Sequence, residues 1–378
     1  MIVLPDTWKW PGKKKPDWRQ AGRHALALLA AFGGGLAAYL ADIPLAWVLG
    51  PLVVTAALSV AGASVWSSNR ARRFGQLVIG TGLGLNITAA LLLDVGKWIP
   101  VMVVTALCAI LITSAFSVLL QRFGGLDRAT AYFALMPGGL SEMANVGERV
   151  GARPEPIALA QAVRIGLVVL VLPPAIIALG IHGDFLRIDA AQSLGYPQVG
   201  VLLLMSFVGV WAMNLIRMAN PWMLGALVTA AVVSSSGLLS GQMPRLLFYS
   251  GQFLLGVAIG ARFKRDIISR LPRLFVLTSL FTLLITVALF AYGAVLSRLG
   301  GIDLATAALA SSAGGVVEMA LTAQILQLNV AMVLGFHVVR AIMVNGISIH
   351  LLNMLERSGY FRVIEWMERA VLGPRRDQ

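Results

Sequence analysis

Charge is scarce in this chain. Asp, Glu, Lys and Arg make up 12% of its 378 residues, where a soluble protein carries about 25%. Hydrophobic residues make up 58%, and the mean hydropathy is +0.82. A water-soluble fold cannot hide that much apolar surface, so soluble enzymes and soluble nucleic-acid-binding domains are excluded. Cysteine is scarcer still. Cys108 stands alone in an apolar run, so neither an intrachain disulfide nor a thiolate metal cluster can form. Histidine is limited to His24, His182, His337 and His350, which fall on different segments or on opposite sides. A copper centre needs such ligands clustered, so neither metal nor other cofactor is expected. Acid lags behind base, and the net charge is +13. In a chain this apolar, that excess points to basic cytoplasmic loops rather than to nucleic acid.

What the sequence has in abundance is long apolar runs. About 20 such residues span a bilayer as a helix. The runs cover 25–41, 45–62, 74–93, 98–120, 129–147 and 156–181, then 196–214, 221–240, 246–261, 274–297, 304–326 and 328–352. The basic stretch 1–24 reads as a cytoplasmic N-terminus. No small-residue cleavage site follows the first run, so it reads as a retained span rather than a signal peptide.

The two sets of runs resemble each other. "WVLGPLVVTAALSVAG" (47–62) matches "WMLGALVTAAVVSSSG" (222–237), and "FGQLVIGTGLG" (74–84) matches "SGQFLLGVAIG" (250–260). "FGGLDRATA" (123–131) matches "LGGIDLATA" (299–307). From Gly75 onward the offset is constant: Gly75 aligns with Gly251, Gly138 with Gly314, and Arg164 with Arg340. This is an internal duplication. It divides the chain into repeat 1 (25–181), a linker (182–195), repeat 2 (196–355) and a C-terminal tail (356–378).

Charge orients the halves. If 129–147 and 304–326 dip in and return on the same side, each half crosses an odd number of times and the second is inverted. Most Lys and Arg then fall on the cytoplasmic side, including Arg70, Arg72, Arg73, Arg217 and the loop 262–273. Twelve full crossings would turn that loop outward, against the distribution of positive charge. The expected fold is therefore an all-α integral membrane protein of two inverted repeats. It has about ten transmembrane helices, two re-entrant broken segments and both termini in the cytoplasm.

The broken segments carry the chemistry. "ALMPGGLSEMANVGERVG" (134–151) and "LASSAGGVVEMALTAQIL" (309–326) each place a Gly-Gly pair inside an apolar run. Gly138-Gly139 and Gly314-Gly315 interrupt the helix. The helix that restarts offers free N–H groups and a positive dipole end. Glu142 and Glu318 sit three residues past the second glycine. Each is followed by an arginine at the same spacing, Arg164 after Glu142 and Arg340 after Glu318. Ionisable groups at this depth are costly unless paired or wet, so a Glu–Arg pair in each half, or a crossed pair, is expected. Such pairs could simply pin the broken segments. The functional alternative is a midplane substrate or proton site at the repeat interface. Around it, Ser141 aligns with Val317, Asn145 with Leu321, and Gln161 with His337. Gln76 and Gln252 precede the pairs Gly80/Gly84 and Gly256/Gly260, whose spacing suits close helix packing, although the two glutamines could also reach a cavity by hydrogen bonding. Pro173-Pro174 should kink or end its helix.

These stretches carry a resemblance. The duplicated W-x-L-G, G-Q-x-x-x-G-x-x-x-G, PGG-x-x-EM and Q-x-x-R patterns resemble the duplicated AbrB membrane family of bacteria, from the first span to about residue 355. The last pattern is Gln161-Ala-Val-Arg164, which becomes His337-Val-Val-Arg340 in the second half. The family shares its name with small soluble DNA-binding regulators, which this chain does not resemble. The resemblance implies a bacterial inner-membrane location and brings labels of ammonia monooxygenase and AidB regulator. The residues favour a third reading, a secondary transporter or exporter of a small solute, with an anion favoured. A membrane sensor acting on gene expression through a partner is the alternative, and a monooxygenase the weaker one. The expected partners are lipid and a small-molecule substrate, without nucleic acid; a homo-oligomer is compatible with the sequence. The site residues expected for substrate or proton are Gly138, Gly139, Ser141, Glu142, Asn145, Gln161, Arg164, Gly314, Gly315, Glu318, His337 and Arg340.

Overall fold

The computed structural model describes residues 18–180, 193–216, 218, 220–239 and 241–360. Outside the described residues lie Lys9, Lys13, Lys14, Lys15, His182, Arg187, Arg217, most of the 182–195 linker and the tail beyond residue 360. The named elements are all helices. The first eight are α1 (Trp18–Leu40), α2 (Ala46–Val60), α3 (Asn69–Gly84), α4 (Ala89–Gly96), α5 (Ile99–Gly124), α6 (Arg128–Leu135), α7 (Leu140–Glu148) and α8 (Pro154–Ala178). The next eight are α9 (Tyr196–Leu215), α10 (Pro221–Ser235), α11 (Arg245–Gly260), α12 (Arg265–Arg270), α13 (Pro272–Gly300), α14 (Leu304–Ser311), α15 (Val316–Ile325) and α16 (Val330–Arg357). The order repeats. Helices α3, α6 and α7 precede α11, α14 and α15 by the same offset that relates the two halves of the sequence. The duplicated sequence thus folds into a duplicated set of helices.

Local chemistry sets the breaks. Gly125 and Gly301 close α5 and α13 with φ of 65° and 67°, a left-handed conformation that glycine adopts without penalty. Two residues on, Asp127 and Asp303 accept hydrogen bonds from Thr130 N–H and Thr306 N–H and so cap α6 and α14. The same turn is thus built twice from the matching stretches FGGLD and LGGID.

Seven helices among the described residues are long and apolar enough to cross a membrane: those at α1, α5, α8, α9, α11–α12, α13 and α16. The chain is a multi-pass membrane protein of helices. The large apolar side chains Leu26, Phe32, Leu204 and Trp211 are exposed on α1 and α9, as a lipid-facing surface requires. Helices α2 and α10 have 15 residues each, about 22 Å at 1.5 Å per residue. That falls short of the ~30 Å hydrocarbon core. The apolar run 74–93 divides into two helices, α3 and α4. Ser68 and Thr88 supply the caps that start them, and caps are invisible to hydropathy. Pro173 and Pro174 do not end α8, which continues to Ala178.

The halves interlock rather than sit side by side. Helix α3 packs on α10 and α2 on α11, while α5 packs on α16 and α8 on α13. Exchanging the halves maps this set of pairs onto itself. Glycines permit the closest approaches. A Cβ at Gly80 or Gly84 would strike the backbone carbonyls of Met223 or Leu227 on α10. A Cβ at Gly256 or Gly260 would strike those of Val48 or Leu52 on α2.

Candidate functional site

Each Gly-Gly stretch separates two short helices. In the first half the chain enters on α6 and comes back on α7. Arg153, the residue just before α8, donates its backbone N–H to Thr130 Oγ1 at 2.8 Å. Its Nε lies 3.3 Å from Asp127 Oδ1. A Cβ at Gly147 would touch Phe133, so α7 lies back against α6. Entry and exit of this hairpin are therefore adjacent, and its Gly138-Gly139 tip points into the protein.

The tip leaves carbonyl groups without helical partners, and α8 supplies the donors. Arg164 donates from Nη1 to Met136 O at 2.5 Å and from Nη2 to Gly138 O at 2.6 Å. Gln161 Nε2 donates to Phe133 O at 2.8 Å and to Met136 O at 2.9 Å. The second half repeats this. Arg340 donates to Ser312 O and to Gly314 O. His337 Nε2 lies 3.0 Å from Leu309 O, the counterpart of Phe133 O. Donation to that carbonyl places the ring proton on Nε2. The Gln-to-His departure thus preserves a side-chain donor to one equivalent carbonyl. Gln161 and His337 are 0% exposed and Arg164 is 2% exposed, so these bonds form where water does not compete.

The expected Glu–Arg pairs do not form. Among the described residues, no ion pair joins Glu142 or Glu318 to Arg164 or Arg340. The arginines instead close on the carbonyls freed by the breaks, which are nearer and fixed by the chain. Each glutamate turns back toward the N-terminus of its own helix. A Cβ at Gly139 would meet the Glu142 carboxylate, and one at Gly315 that of Glu318. A Cβ at Gly138 or Gly314 would likewise meet Met143 or Met319. The glycines are needed here for space rather than for conformational freedom. Gly139 and Gly315 have φ of −73° and −76°, which other residues adopt readily. Glu142 also accepts a hydrogen bond from Asn345 Nδ2 of α16 at 3.1 Å.

The two tips meet at one cavity of about 230 Å³. Its wall includes Gly138, Gly139 and Glu142 from the first tip, and Gly314, Gly315 and Glu318 from the second. Arg340 also lines it, with a buried Nε that has no acceptor. Of the other expected residues, Arg164, Gln161 and His337 lie behind the wall and hold the tips in shape. Asn145 is exposed and outside the cavity. Ser141 lies in the first turn of α7; its side chain lies outside the described residues.

Sequence reasoning misses much of the lining. Arg72 and Arg73 at the start of α3 and Arg262 after α11 face the cavity, beside Gln76, which the sequence does place within reach of one. Asn214, Asn220 and Trp222 of the α9–α10 corner complete its mouth. Along the chain these arginines read only as cytoplasmic markers. The clue available is Gln76, a polar residue four positions past Arg72 and so on the same helical face. Arg73 stacks over Trp222, with 5.4 Å from its guanidinium carbon to the ring. Arg262 and Arg72 share the lining with Glu318. Four arginines face two glutamates across the lining, so the cavity is electropositive. Among the described residues, no group of three His, Cys, Asp or Glu is placed to hold a metal ion.

Comparison with known proteins agrees with the duplicated patterns. The model of a family described as "Transition state regulatory protein AbrB" matches residues 47–356. An "Uncharacterized protein YhjN" of Bacillus subtilis (strain 168) is 27% identical over 345 residues, covering 84% of this chain and 89% of that one. A "Putative regulator AbrB" of Escherichia coli (strain K12) is 28% identical over 310 residues, covering 79% of this chain and 86% of that one. The matched region takes in both broken segments and the glutamates and arginines around them, and on that match the chain belongs to the AbrB family.

Proposed function

We propose that this protein is a secondary transporter of a small solute, with its binding site in the central cavity. One observation carries the reading. Two interrupted helices, one from each half, bring their glycine tips, an acidic residue each and a buried arginine to one cavity. Non-helical backbone at membrane depth is tolerated where it is buried in protein or lines such a cavity. Interrupted helices flanking a central site between repeats are a recurring transporter arrangement. In this reading the two halves are inverted, with ten crossings, two re-entrant hairpins and both termini in the cytoplasm. The adjacent ends of the α6–α7 hairpin support re-entry on one side. The cavity lining includes Arg72, Arg73 and Arg262, with Arg73 exposed, residues that the charge distribution assigns to the cytoplasmic side. The conformation described is then open inward. Glu142 and Glu318 orient substrate or carry protons, and the arginines favour an anion.

A second reading follows from a name. The Escherichia coli relative is called a regulator, and a membrane sensor could use the same cavity to detect its ligand. Reconstitution separates the two. Purified protein in liposomes is loaded in turn with labelled small carboxylates, phosphate and sulfate, and efflux is followed with and without a proton gradient. Protein-dependent flux that is lost on Glu318→Gln is the result expected of a transporter. Ligand binding without flux for any bound solute assigns the cavity to sensing.

A further inference from the structure

The cavity contains more cation than its own acids neutralise, and most of that cation lacks a partner. Arg72, Arg73, Arg262 and Arg340 oppose Glu142 and Glu318, an excess of two positive charges. Among the described residues, the guanidinium groups of Arg72, Arg73 and Arg262 make no hydrogen bond or ion pair with a protein acceptor. The Nε of Arg72 is buried without a partner, as is that of Arg340, a residue 5% exposed. A planar guanidinium is shaped for two-point contact with a carboxylate, sulfate or phosphate. The more enclosed of the two acids, Glu318, is 9% exposed and bends back over Gly315 at the start of α15. Its carboxylate therefore occupies the positive end of the helix. An oxygen of an incoming anion would seek the same place. The equivalent Glu142 bends back over Gly139 in the same way but is also held by Asn345, a partner that Glu318 lacks, because Val169 stands at the matching position in α8. The two tips are thus unequal, and the second is the one with a displaceable acid.

We propose that Glu318 is an internal counter-ion, and that a small doubly charged oxyanion displaces it to bind Arg72, Arg73 and Arg262. The inference rests on the cavity being a substrate site. The excess charge sets the valence of the ligand at two. The volume sets its size, since about 230 Å³ lies below the ~300–1,000 Å³ of pockets for drug-sized ligands. Four-carbon dicarboxylates, sulfate and phosphate share this chemistry. Arg73, steadied on Trp222 at the mouth, meets the anion first. Arg72 and Arg262, which have no acceptor of their own among the described residues, then take the anion as its oxygen displaces Glu318 from the start of α15.

The test is a binding titration of the full-length protein in detergent, read by thermal shift at constant ionic strength. The probes are sodium sulfate and sodium succinate, with chloride and the uncharged succinamide as controls. Wild type is expected to bind at least one dianion and neither control. A response to sulfate alone, to succinate alone or to both tells an inorganic ligand from a dicarboxylate. Arg72→Gln and Arg262→Gln should each weaken binding by about tenfold or more, through loss of charge-assisted hydrogen bonds. Glu318→Gln should tighten binding by about tenfold, because the opposed like charge is gone. Glu318→Asp, too short to reach the α15 N-terminus, serves in its place if the glutamine variant does not fold. Dianion binding that is unchanged in the arginine variants overturns the proposal. So does absence of any dianion effect, or binding that weakens on substitution of Glu318. A dianion that binds as expected but is not moved in liposomes refutes transport and leaves the counter-ion standing. Flux of an uncharged solute without dianion binding does the reverse.

Discussion

Neutralising Arg164 and neutralising Glu142 should have very different costs. If the two formed a buried ion pair, removing either would strand the other, at about 3–5 kcal/mol each. In the structure Arg164 holds Met136 O and Gly138 O instead. Arg164→Met therefore strands Gly138 O, at roughly 1–3 kcal/mol, and takes a charged bond from Met136 O, which keeps Gln161 Nε2, at roughly 1.5–3 kcal/mol. Some of that loss is offset because a buried charge is also removed. A net cost of roughly 2–5 kcal/mol follows, a large share of a typical stability of ~5–15 kcal/mol. Glu142 is half-buried and bonded to the neutral Asn345. Its replacement by Gln keeps an oxygen acceptor there, so the cost should stay near ~0.5–1.5 kcal/mol. The assay is equilibrium unfolding of the two single variants in mixed micelles, followed by circular dichroism. A Glu142→Gln variant as unstable as Arg164→Met would refute the carbonyl clamp and restore the ion pair.

Three further outcomes follow from the same geometry. Gly139→Leu with Gly315→Leu places side chains where the Glu142 and Glu318 carboxylates lie, so flux should vanish while expression and melting change little; full activity would show that the tips take no part. His337→Gln should keep a donor to Leu309 O, as Gln161 does to Phe133 O, whereas His337→Leu loses that bond at roughly 0.5–1.5 kcal/mol and leaves Leu309 O to Ser312; equal melting temperatures for the two variants would contradict the bond. With Cys108 replaced, single cysteines in the loop 262–273 should resist an impermeant external reagent in intact cells, and labelling there would sink the inverted arrangement.

The duplication, the helical class and both broken segments were legible in the sequence, because each leaves a mark along the chain. Gly138-Gly139 and Gly314-Gly315 announce breaks by composition, and a constant offset announces a repeat without any knowledge of its fold. What Glu142, Glu318, Arg164 and Arg340 touch was not legible. Opposite signs at matched spacing suggested pairing, and pairing was the wrong inference. The freed carbonyls at Met136, Gly138, Ser312 and Gly314 are part of the backbone and have no letter in the sequence, yet they are the acceptors that the arginines find. The cavity arginines were hidden for a different reason. Arg72 lies in the first turn of α3 and Arg262 just past the end of α11, helices at matching places in the two halves. Basic residues at such helix ends read as loop markers. Only the interlocking of the halves turns them toward a common space. A buried arginine beside a helix break should therefore be matched first to the carbonyls which that break releases, and to a carboxylate only when those are already satisfied. By that rule Arg164 and Arg340 hold the tips in shape, and Arg72, Arg73 and Arg262 are the cavity arginines left without an acceptor among the described residues.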